Sequence, residues 1–296
     1  NVLKSIKKTT MKSINIYTLL LSCLFVFSSS DAQTLDCSSL CVKAVEFDSI
    51  TSAPFKMINV TVHNTGQNPI QYFTVYFVIN TNGDTEIQVS EALAFSGRID
   101  CSNLNVADMT GIEAFVHLTK LNCHRNVLTN LDVSQNTSLT HLTCYRNNLS
   151  HLDVTQNTSL VYLHCTGNSI SNLDVTPNIG LTRLYCSVNP ISSLDVSQNT
   201  SLERLYCNST LISSLDLSQN PSLKILDCSS TQLSRLNVKN GNNTSIVRFK
   251  ANNNPNLTCI EVDAATVATP PAGWYKDAVA TYSDNCAALS VDDVNL

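Results

Sequence analysis

Cysteine recurs at a fixed interval of 21 residues through the middle of the chain, and this period constrains the fold more than any other feature. The cysteines of the array are Cys123, Cys144, Cys165, Cys186, Cys207 and Cys228. A fixed period of this length is typical of a solenoid, in which each repeat forms one coil and equivalent residues stack into ladders. Function is then expected on a surface that several coils share, because no single coil encloses a pocket.

Each repeat follows the leucine-rich-repeat template, with cysteine where the third leucine usually lies. The second repeat reads Leu139-x-x-Leu142-x-Cys144-x-x-Asn147-x-Leu149, then Leu152-Asp153-Val154. The alternation around Leu142 predicts a short strand with its apolar side chains inward, and Leu152-x-Val154 predicts a second extended stretch. We therefore predict a mostly β fold: a leucine-rich-repeat solenoid of parallel stacked short strands, with a small N-terminal β segment and a disulfide-stapled C-terminal cap.

Two further columns of polar residues follow from the period. An inward asparagine ladder is expected to satisfy backbone groups that a tight coil would bury; its members are Asn126, Asn147, Asn168 and Asn189, and threonine replaces asparagine in the next two coils. Stacked aspartates repel one another, so each is expected to accept a hydrogen bond from its own turn; they are Asp132, Asp153, Asp174, Asp195 and Asp216. The Asn-x-Ser/Thr triplets, such as residues 136–138, follow from the repeat itself.

The ladder cysteines are expected to be small buried filler. Successive coils lie about 4.8 Å apart, but parallel side chains on successive rungs lack the geometry that disulfides need. Metal ligands must converge on a point, whereas a ladder is linear. Ladder disulfides and a metal site remain the less favoured alternatives.

Residues 11–32 resemble a secretory signal peptide, with residues 1–10 as upstream sequence. Export would expose the chain to an oxidising compartment. The cysteines outside the ladder are then disulfide candidates, Cys37 with Cys41 and Cys259 with Cys286. The second pair would close a cap over the last coil, which otherwise exposes its core.

Charge restricts the classes of partner. The 296-residue chain has a formal net charge of −5, and without residues 1–32 it keeps 14 basic and 22 acidic residues, a charge of −8. This excess argues against general binding of nucleic acid or anionic membranes, which needs a basic face. The apolar run within residues 11–32 is too short for a membrane span.

The remaining segments flank the array. Residues 33–79 contain three β-rich runs, at 42–47, 57–62 and 73–79, which are too few for a complete immunoglobulin-like sandwich. Residues 80–117 are interpreted as a linker with a divergent first coil, residues 118–245 as the regular repeats, and residues 246–288 as the last coil and cap. Residues 289–296 are interpreted as the start of a further C-terminal region.

The linker contains a degenerate calcium-loop pattern. Asn80, Asn82, Asp84 and Glu91 occupy positions of the EF-hand template that supply ligands. Thr85 stands where the template needs glycine, and only two ligands are carboxylates, so a polar turn is the favoured interpretation. Calcium is the single cofactor that the sequence suggests.

The repeat unit resembles the cysteine-ladder repeats of internalin J-like surface proteins, and more closely those of secreted repeat proteins of Bacteroidota. The segments at 80–91, 108–115 and 256–286 lie at matching places around the array, and residues 289–296 resemble the run-in to a type IX secretion sorting domain. The resemblance implies a secreted or surface-attached binding protein. It implies no particular ligand.

Binding is expected on the outward residues that flank the ladder cysteines. Tyrosine and arginine dominate interface hot spots, and the candidate contact residues are Tyr145, Tyr162, Arg183, Tyr185, Arg204 and Tyr206. The alternative is that these tall side chains only cover the sheet. His124, His141 and His164 also point outward, but they lie in three different columns, which disfavours a metal site.

Three functional hypotheses follow. The favoured one is a monomeric extracellular module that recognises protein or glycan through its open strand face. The second is a structural spacer without a ligand of its own. The third, an enzyme, is disfavoured because the chain lacks a nucleophile elbow, a paired-histidine metalloprotease motif and a glycine-rich phosphate loop.

Overall fold

The structure is a computed structural model that describes residues 57–62, 73–78 and 89–287. The chain divides into two compact units, Asn1–Phe95 and Ser96–Leu296. In the first unit, β1 (Met57–Val62) and β2 (Phe73–Val78) pair as an antiparallel hairpin, and α1 (Val89–Ala94) follows. Other predictions lie outside the described residues: the leader, the run at 42–47, the pair Cys37 and Cys41, and residues 289–296.

The second unit consists of coils whose short strands stack in parallel into two sheets. Among the described residues, the larger sheet has nine strands: β3 (Ser96–Asp100), β4 (His117–Asn122), β5 (His141–Thr143), β6 (Tyr162–His164), β7 (Arg183–Tyr185), β8 (Arg204–Tyr206), β10 (Ile225–Asp227), β12 (Arg248–Ala251) and β14 (Trp274–Lys276). The smaller sheet contains β9 (Ser214–Asp216), β11 (Arg235–Asn237), β13 (Cys259–Glu261) and β15 (Thr281–Ser283).

Strand register follows the sequence period. In the larger sheet, Arg183 pairs with Arg204 and Tyr185 pairs with Tyr206, each 21 residues further along the chain. In the three-residue strands of the repeats the central residue points inward, as Leu205 in the larger sheet and Leu215 in the smaller one do; in β14 of the cap the central Tyr275 is exposed. The predicted leucine-rich-repeat solenoid is confirmed, and its two sheets turn their outer faces in opposite directions because both bury their inner faces in the shared core.

The ladder cysteines are buried filler, as predicted. All six have no exposed surface and are free thiols, and burial raises the pKa of each thiol. For Cys165 the pKa reaches about 12. Thiols held in this state are poor nucleophiles and poor metal ligands, because both roles require the thiolate. Their contribution is to pack a narrow coil at a position that leucine would overfill.

The predicted asparagine ladder is confirmed. Asn147 Nδ2 donates to the carbonyl oxygens of Cys123 and Cys144, and its Oδ1 accepts from Leu128 N. One amide therefore satisfies backbone groups on two successive coils. Thr210, which replaces asparagine in the fifth coil, donates only to the carbonyl oxygen of Cys207 in its own coil.

A second asparagine ladder, not recognised in the sequence, holds the other side of each coil. Its members are fully buried: Asn136, Asn157, Asn178, Asn199 and Asn220. Asn178 Nδ2, for example, donates to Val154 O at 3.0 Å and to Asn157 O at 2.8 Å, both in the preceding coil. The Oδ1 atoms of this ladder have no hydrogen-bond partner among the described residues. The triplet asparagines Asn136, Asn157, Asn199 and Asn220 thus serve as core amides.

Each coil turns through a residue in the left-handed backbone region, two positions after the ladder position. Asn103, Gly167 and Asn253 suit this conformation, because glycine and asparagine enter it at low cost. Val188 has a φ of 54° at the same place, where a β-branched side chain is strained. Its side chain is 52% exposed, so it gains little from burial in return.

The stacked aspartates are held by their own turns, as predicted. Asp153 Oδ1 accepts hydrogen bonds from the backbone N–H of Thr155 at 2.9 Å and from its hydroxyl at 2.7 Å. Asp195 accepts in the same way from Ser197 N. These hydrogen bonds lower the pKa of both carboxyl groups. These two carboxylates therefore remain charged. The five stacked aspartates form an acidic column on the second side of the coils.

A cap covers the last coil and contains the predicted disulfide, Cys259–Cys286, whose Cα atoms lie 5.8 Å apart. Trp274 stacks on Phe249 at 4.3 Å between ring centroids and donates its indole N–H to Ile246 O at 2.9 Å. A short helix, α2 (Ala264–Ala268), lies between β13 and β14. The cap thereby shields core residues that a further coil would otherwise cover.

Replacing Asn178 by aspartate should destabilise the fold strongly. The substitution puts a carboxyl oxygen where two backbone carbonyls accept an N–H, at a fully buried position. We expect a loss of about 3 kcal/mol or more in the free energy of unfolding, measured by urea titration. Asn148→Asp, at an exposed asparagine of a neighbouring coil, is the control; equal losses in the two variants would contradict the proposed role of the ladder.

Replacing Val188 by asparagine should stabilise the protein. Asparagine removes the strain of a β-branched residue at positive φ, and we expect a gain of about 1 kcal/mol in the free energy of unfolding. The reciprocal change, Gly167→Val, should lower it, since a Cβ there meets Arg146 Cγ at an ordinary 3.6 Å and only the backbone conformation opposes it. A Val188→Asn variant that melts no higher than the parent chain would show that the strain is negligible.

Candidate functional site

The candidate site is the strand face, which is the outward face of the nine-stranded sheet. Strands β6, β7 and β8 each contribute one half-buried tyrosine, which are Tyr162, Tyr185 and Tyr206 in that order. A fourth tyrosine, Tyr145, lies just after β5. Arg183 and Arg204 are the first residues of β7 and β8. Successive residues of a strand point to opposite faces. Because Leu184 and Leu205, the central residues of β7 and β8, are buried, the arginine before each and the tyrosine after each point outward. All six predicted contact residues therefore share one surface.

The main feature of the strand face is a continuous row of rings in contact, stacked at three of its four contacts and tilted between His164 and Tyr185. We call it the aromatic ladder; it consists of His124, Tyr145, His164, Tyr185 and Tyr206. Successive ring centroids lie 4.3, 4.4, 5.0 and 5.0 Å apart. The interplanar angles are 15°, 23°, 43° and 17°. Each of five successive coils supplies one ring. The rings are therefore spaced by about the separation of neighbouring strands.

A second, shorter row of rings flanks the ladder. His141 stacks on Tyr162 with centroids 5.7 Å apart, and Tyr162 packs against Tyr185 at 5.5 Å. The Tyr162 hydroxyl lies 3.4 Å from Nδ1 of His164. These contacts hold the tyrosines in fixed orientations before any partner binds, which reduces the entropy lost on binding.

Two arginines lie next to the ladder on neighbouring strands. Arg183 and Arg204 pair in register, so two like charges are one rung apart. The nearby carboxylate of Glu203 is already engaged by Lys224, with Nζ and Oε1 2.6 Å apart. This hydrogen bond, with smaller effects of the two arginines, lowers the pKa of Glu203. Within the described part of the chain, the other ion pair is Arg98–Asp100, so both arginines have unpaired guanidinium groups.

The histidines of the strand face are held neutral. Burial lowers the pKa of His164 to about 4, with a smaller contribution from His124. Burial also lowers the pKa of His124 and His141, and Lys120 and Arg183 reinforce the effect on His141. Neutral imidazoles stack on tyrosine without the desolvation cost of a charged ring.

The geometry does not assemble a metal site from these histidines. Tyr145 lies between the rings of His124 and His164. In the described part of the chain, no three His, Cys, Asp or Glu side chains come together in an arrangement that could hold a metal ion. The calcium-loop positions Asn80, Asn82 and Asp84 lie outside the described residues, and of Glu91 only the backbone, within α1, is described.

Sequence reasoning identified the tyrosines but not the ladder that contains them. His124 and Tyr145 directly follow the ladder cysteines, whereas His164, Tyr185 and Tyr206 directly precede them. Between the second and third coils, the ring moves from the position after the cysteine to the position before it. If residues are compared only at one fixed distance from the cysteine, the aromatic ladder is split into two unrelated pieces. The signal in the sequence is that, in each of five consecutive coils, one of the two residues next to the ladder cysteine carries an aromatic ring.

Stacking determines what the ladder offers to a partner. Most ring faces are covered by the next ring, so the surface presents ring edges, tyrosine hydroxyls and the two guanidinium groups. Such a surface is apolar in its middle and polar around it, which is the composition of many protein interfaces. It offers few free ring faces of the kind on which nucleobases stack.

The structure defines a class of protein: a leucine-rich-repeat solenoid with a buried cysteine ladder. None of the helices in the described residues has the length and apolar character needed to cross a bilayer. The described strands, the cysteine period and the cap disulfide all fit this class.

Comparison with known proteins supports the resemblance of the repeats. No family model matches the chain. Internalin J of Listeria monocytogenes serotype 4b is 51% identical over 53 residues, which is 18% of this chain and 6% of that protein. The chain thus spans only a small part of that curated relative.

Two solved structures from Listeria monocytogenes are also similar. The functional domain of internalin J, which includes a cysteine ladder, is 33% identical with a TM-score of 0.37, over 66% of this chain and 56% of that one. Internalin C2 is 19% identical with a TM-score of 0.46, over 67% of this chain and 85% of that one.

The neutral histidines should make stability depend on pH. Because the pKa of folded His164 is about 4 and the ordinary value is 6.5, the unfolded chain binds more protons between these values. Stability from this group is complete above pH 6.5 and is lost as pH falls towards 4. His164→Tyr should remove part of that loss, about 1–2 kcal/mol after allowance for partial solvent exposure.

The measurement is urea unfolding at several pH values between 7 and 4, a range set by the ordinary and folded pKa values of His164. His117→Gln, at an exposed histidine of β4, is the matched control for loss of an imidazole. If His164→Tyr and the parent chain lose stability equally over this range, the ladder histidine is not responsible.

Proposed function

We propose that this chain is a binding module that recognises a protein partner through the aromatic ladder and the adjacent arginines. The observation that carries the proposal is the row of fixed tyrosine edges beside two unpaired guanidinium groups on one exposed sheet. Tyrosine and arginine supply most of the binding energy in protein interfaces, because each combines a large contact area with a polar group. Pre-ordered side chains add affinity by reducing the cost of binding.

Secretion or surface attachment is part of the proposal. It is supported by the signal-like segment at residues 11–32, by the cap disulfide, which suits an oxidising compartment, and by the local similarity to internalin J. A monomer that presents its strand face to the partner is the simplest arrangement.

A glycan is the second candidate ligand, and a spacer role is the alternative function. The arginines and tyrosine hydroxyls could donate to sugar oxygens, but the ring faces that would pack against a sugar are largely covered. The spacer role is favoured by the same stacking, because rings that satisfy one another would also protect the sheet without any partner.

Protein and glycan arrays probed with the whole chain test the proposal. Removing two adjacent hot-spot rings with Tyr185→Ala/Tyr206→Ala should weaken binding to a protein hit by about tenfold or more. Tyr275→Ala is the matched control, because Tyr275 is an exposed tyrosine of β14 beyond the end of the ladder. Unfolding curves of both variants show whether the fold is retained.

The other outcomes are equally informative. A hit that survives the double substitution, or that Tyr275→Ala weakens as much, contradicts binding at the ladder. If the chain binds glycans but no protein, the partner is a glycan and the proposed protein partner is wrong. A folded chain that binds nothing on either array favours the spacer.

A further inference from the structure

Cations form a column along the strand face, beside the aromatic ladder. The strand register aligns five of them across the sheet, and we call this set the basic column: Arg98, Lys120, Arg183, Arg204 and Arg248. The other positions of this column, between Arg98 and Arg248, are His141, Tyr162 and Ile225, so it contains no anion. Arg98 is engaged by Asp100, and the other four cations have no ion pair among the described residues.

The rest of the chain has the opposite charge. The net charge is −5, although the strands of the larger sheet carry more outward cations than carboxylates, the carboxylates being Asp100 and Asp227 in the neighbouring column. The acidic column of Asp132, Asp153, Asp174, Asp195 and Asp216 belongs to the second extended stretch of the same coils, where Asp216 ends β9 of the smaller sheet. Because the two sheets face in opposite directions, positive and negative charges lie on different sides of the solenoid.

The two columns differ in how their repulsion is relieved. Each aspartate accepts hydrogen bonds from its own turn, as Asp153 does from Thr155. Arg183 and Arg204 are neighbours in register and form no ion pair with a carboxylate among the described residues; Glu203, which is paired with Lys224, interacts with them only at longer range. A negatively charged partner along this column would relieve the repulsion, and its field would speed association.

The aromatic ladder indicates which kind of anion fits. Single-stranded nucleic acid is bound by stacking bases on free ring faces, and in the ladder those faces are occupied by neighbouring rings. Ring edges and tyrosine hydroxyls suit the mixed apolar and polar side chains of a polypeptide. Charge and shape together therefore favour a protein over the other polyanions.

We infer that the strand face binds an acidic segment of a partner protein, which runs along the coils with its carboxylates on the basic column. Its apolar or aromatic side chains lie against the edges of the aromatic ladder. This inference rests on the proposed function and specifies the chemistry of the partner.

The test is to pan a displayed library of random linear peptides against the whole chain. The enriched pool should contain more Asp and Glu than the input library, and binding of isolated peptides should weaken with added salt. Arg183→Ala/Arg204→Ala should weaken those peptides by about tenfold or more. Arg235→Ala is the matched control, because Arg235 is also the exposed first residue of a three-residue strand but belongs to the smaller sheet.

Several results would overturn the inference. One is a pool that is not acidic, or peptides that bind the double arginine variant as well as the parent chain. If those peptides still lose binding to Tyr185→Ala/Tyr206→Ala, the proposed function survives and only the charge assignment fails. Failure to enrich any peptide also excludes a linear acidic segment.

Two further arms test other occupants of the face. Tighter binding of heparin or of an oligothymidine than of the best peptide would assign the face to a sulfated glycan or a nucleic acid. Concentration-dependent self-association in sedimentation, lost in the double arginine variant, would assign it to the acidic column of a second copy. Either result overturns the acidic-protein assignment.

Discussion

The fold depends on side-chain amides that replace missing backbone partners. A coil with only three-residue strands leaves many carbonyl and N–H groups of its turns inside the core, where water cannot reach them. On one side Asn147 donates to carbonyl oxygens of two successive coils, and on the other side Asn178 donates to two carbonyl oxygens of the preceding coil. Burying an unpaired carbonyl costs several kcal/mol, so the apolar core can close because these amides, and the hydroxyls of Thr210 and Thr231 in the two coils that lack the first asparagine, supply hydrogen bonds to it. The strand face and its aromatic ladder are consequences of the fixed spacing that they impose.

The sequence was sufficient for the parts of the fold that repeat within one column. The cysteine period predicted the solenoid, and Asn126 and its equivalents were recognised because they stand at a fixed distance from the cysteine. The second asparagine ladder escaped recognition because Asn136 lies in a polar Asn-Thr-Ser stretch that is typical of an exposed turn. Its burial depends on where the coil turns back onto its neighbour, which spacing alone does not show.

The candidate site was predictable in composition but not in arrangement. Tyr185 and Tyr206 were recognised as neighbours since they share a column, whereas the contact of Tyr145 with His164 crosses from one column to the next. Net charge was also misleading about the surface, because it averages over two sides of opposite sign. The overall charge of −5 therefore does not describe the strand face, where Arg183 and Arg204 lie next to each other and form no ion pair among the described residues.

The two classes of cysteine make the middle of the solenoid and its C-terminal cap respond differently to the redox state of their surroundings. The ladder thiols are buried and free, so reducing agents leave the middle of the array unchanged. The cap, in contrast, is closed by Cys259–Cys286. In a reducing compartment the described part of the chain would lose its covalent closure at the last coil, and fraying would begin there and spread from coil to coil towards the N-terminus. Passage into an oxidising compartment would therefore complete the fold at one end, as a late step of maturation.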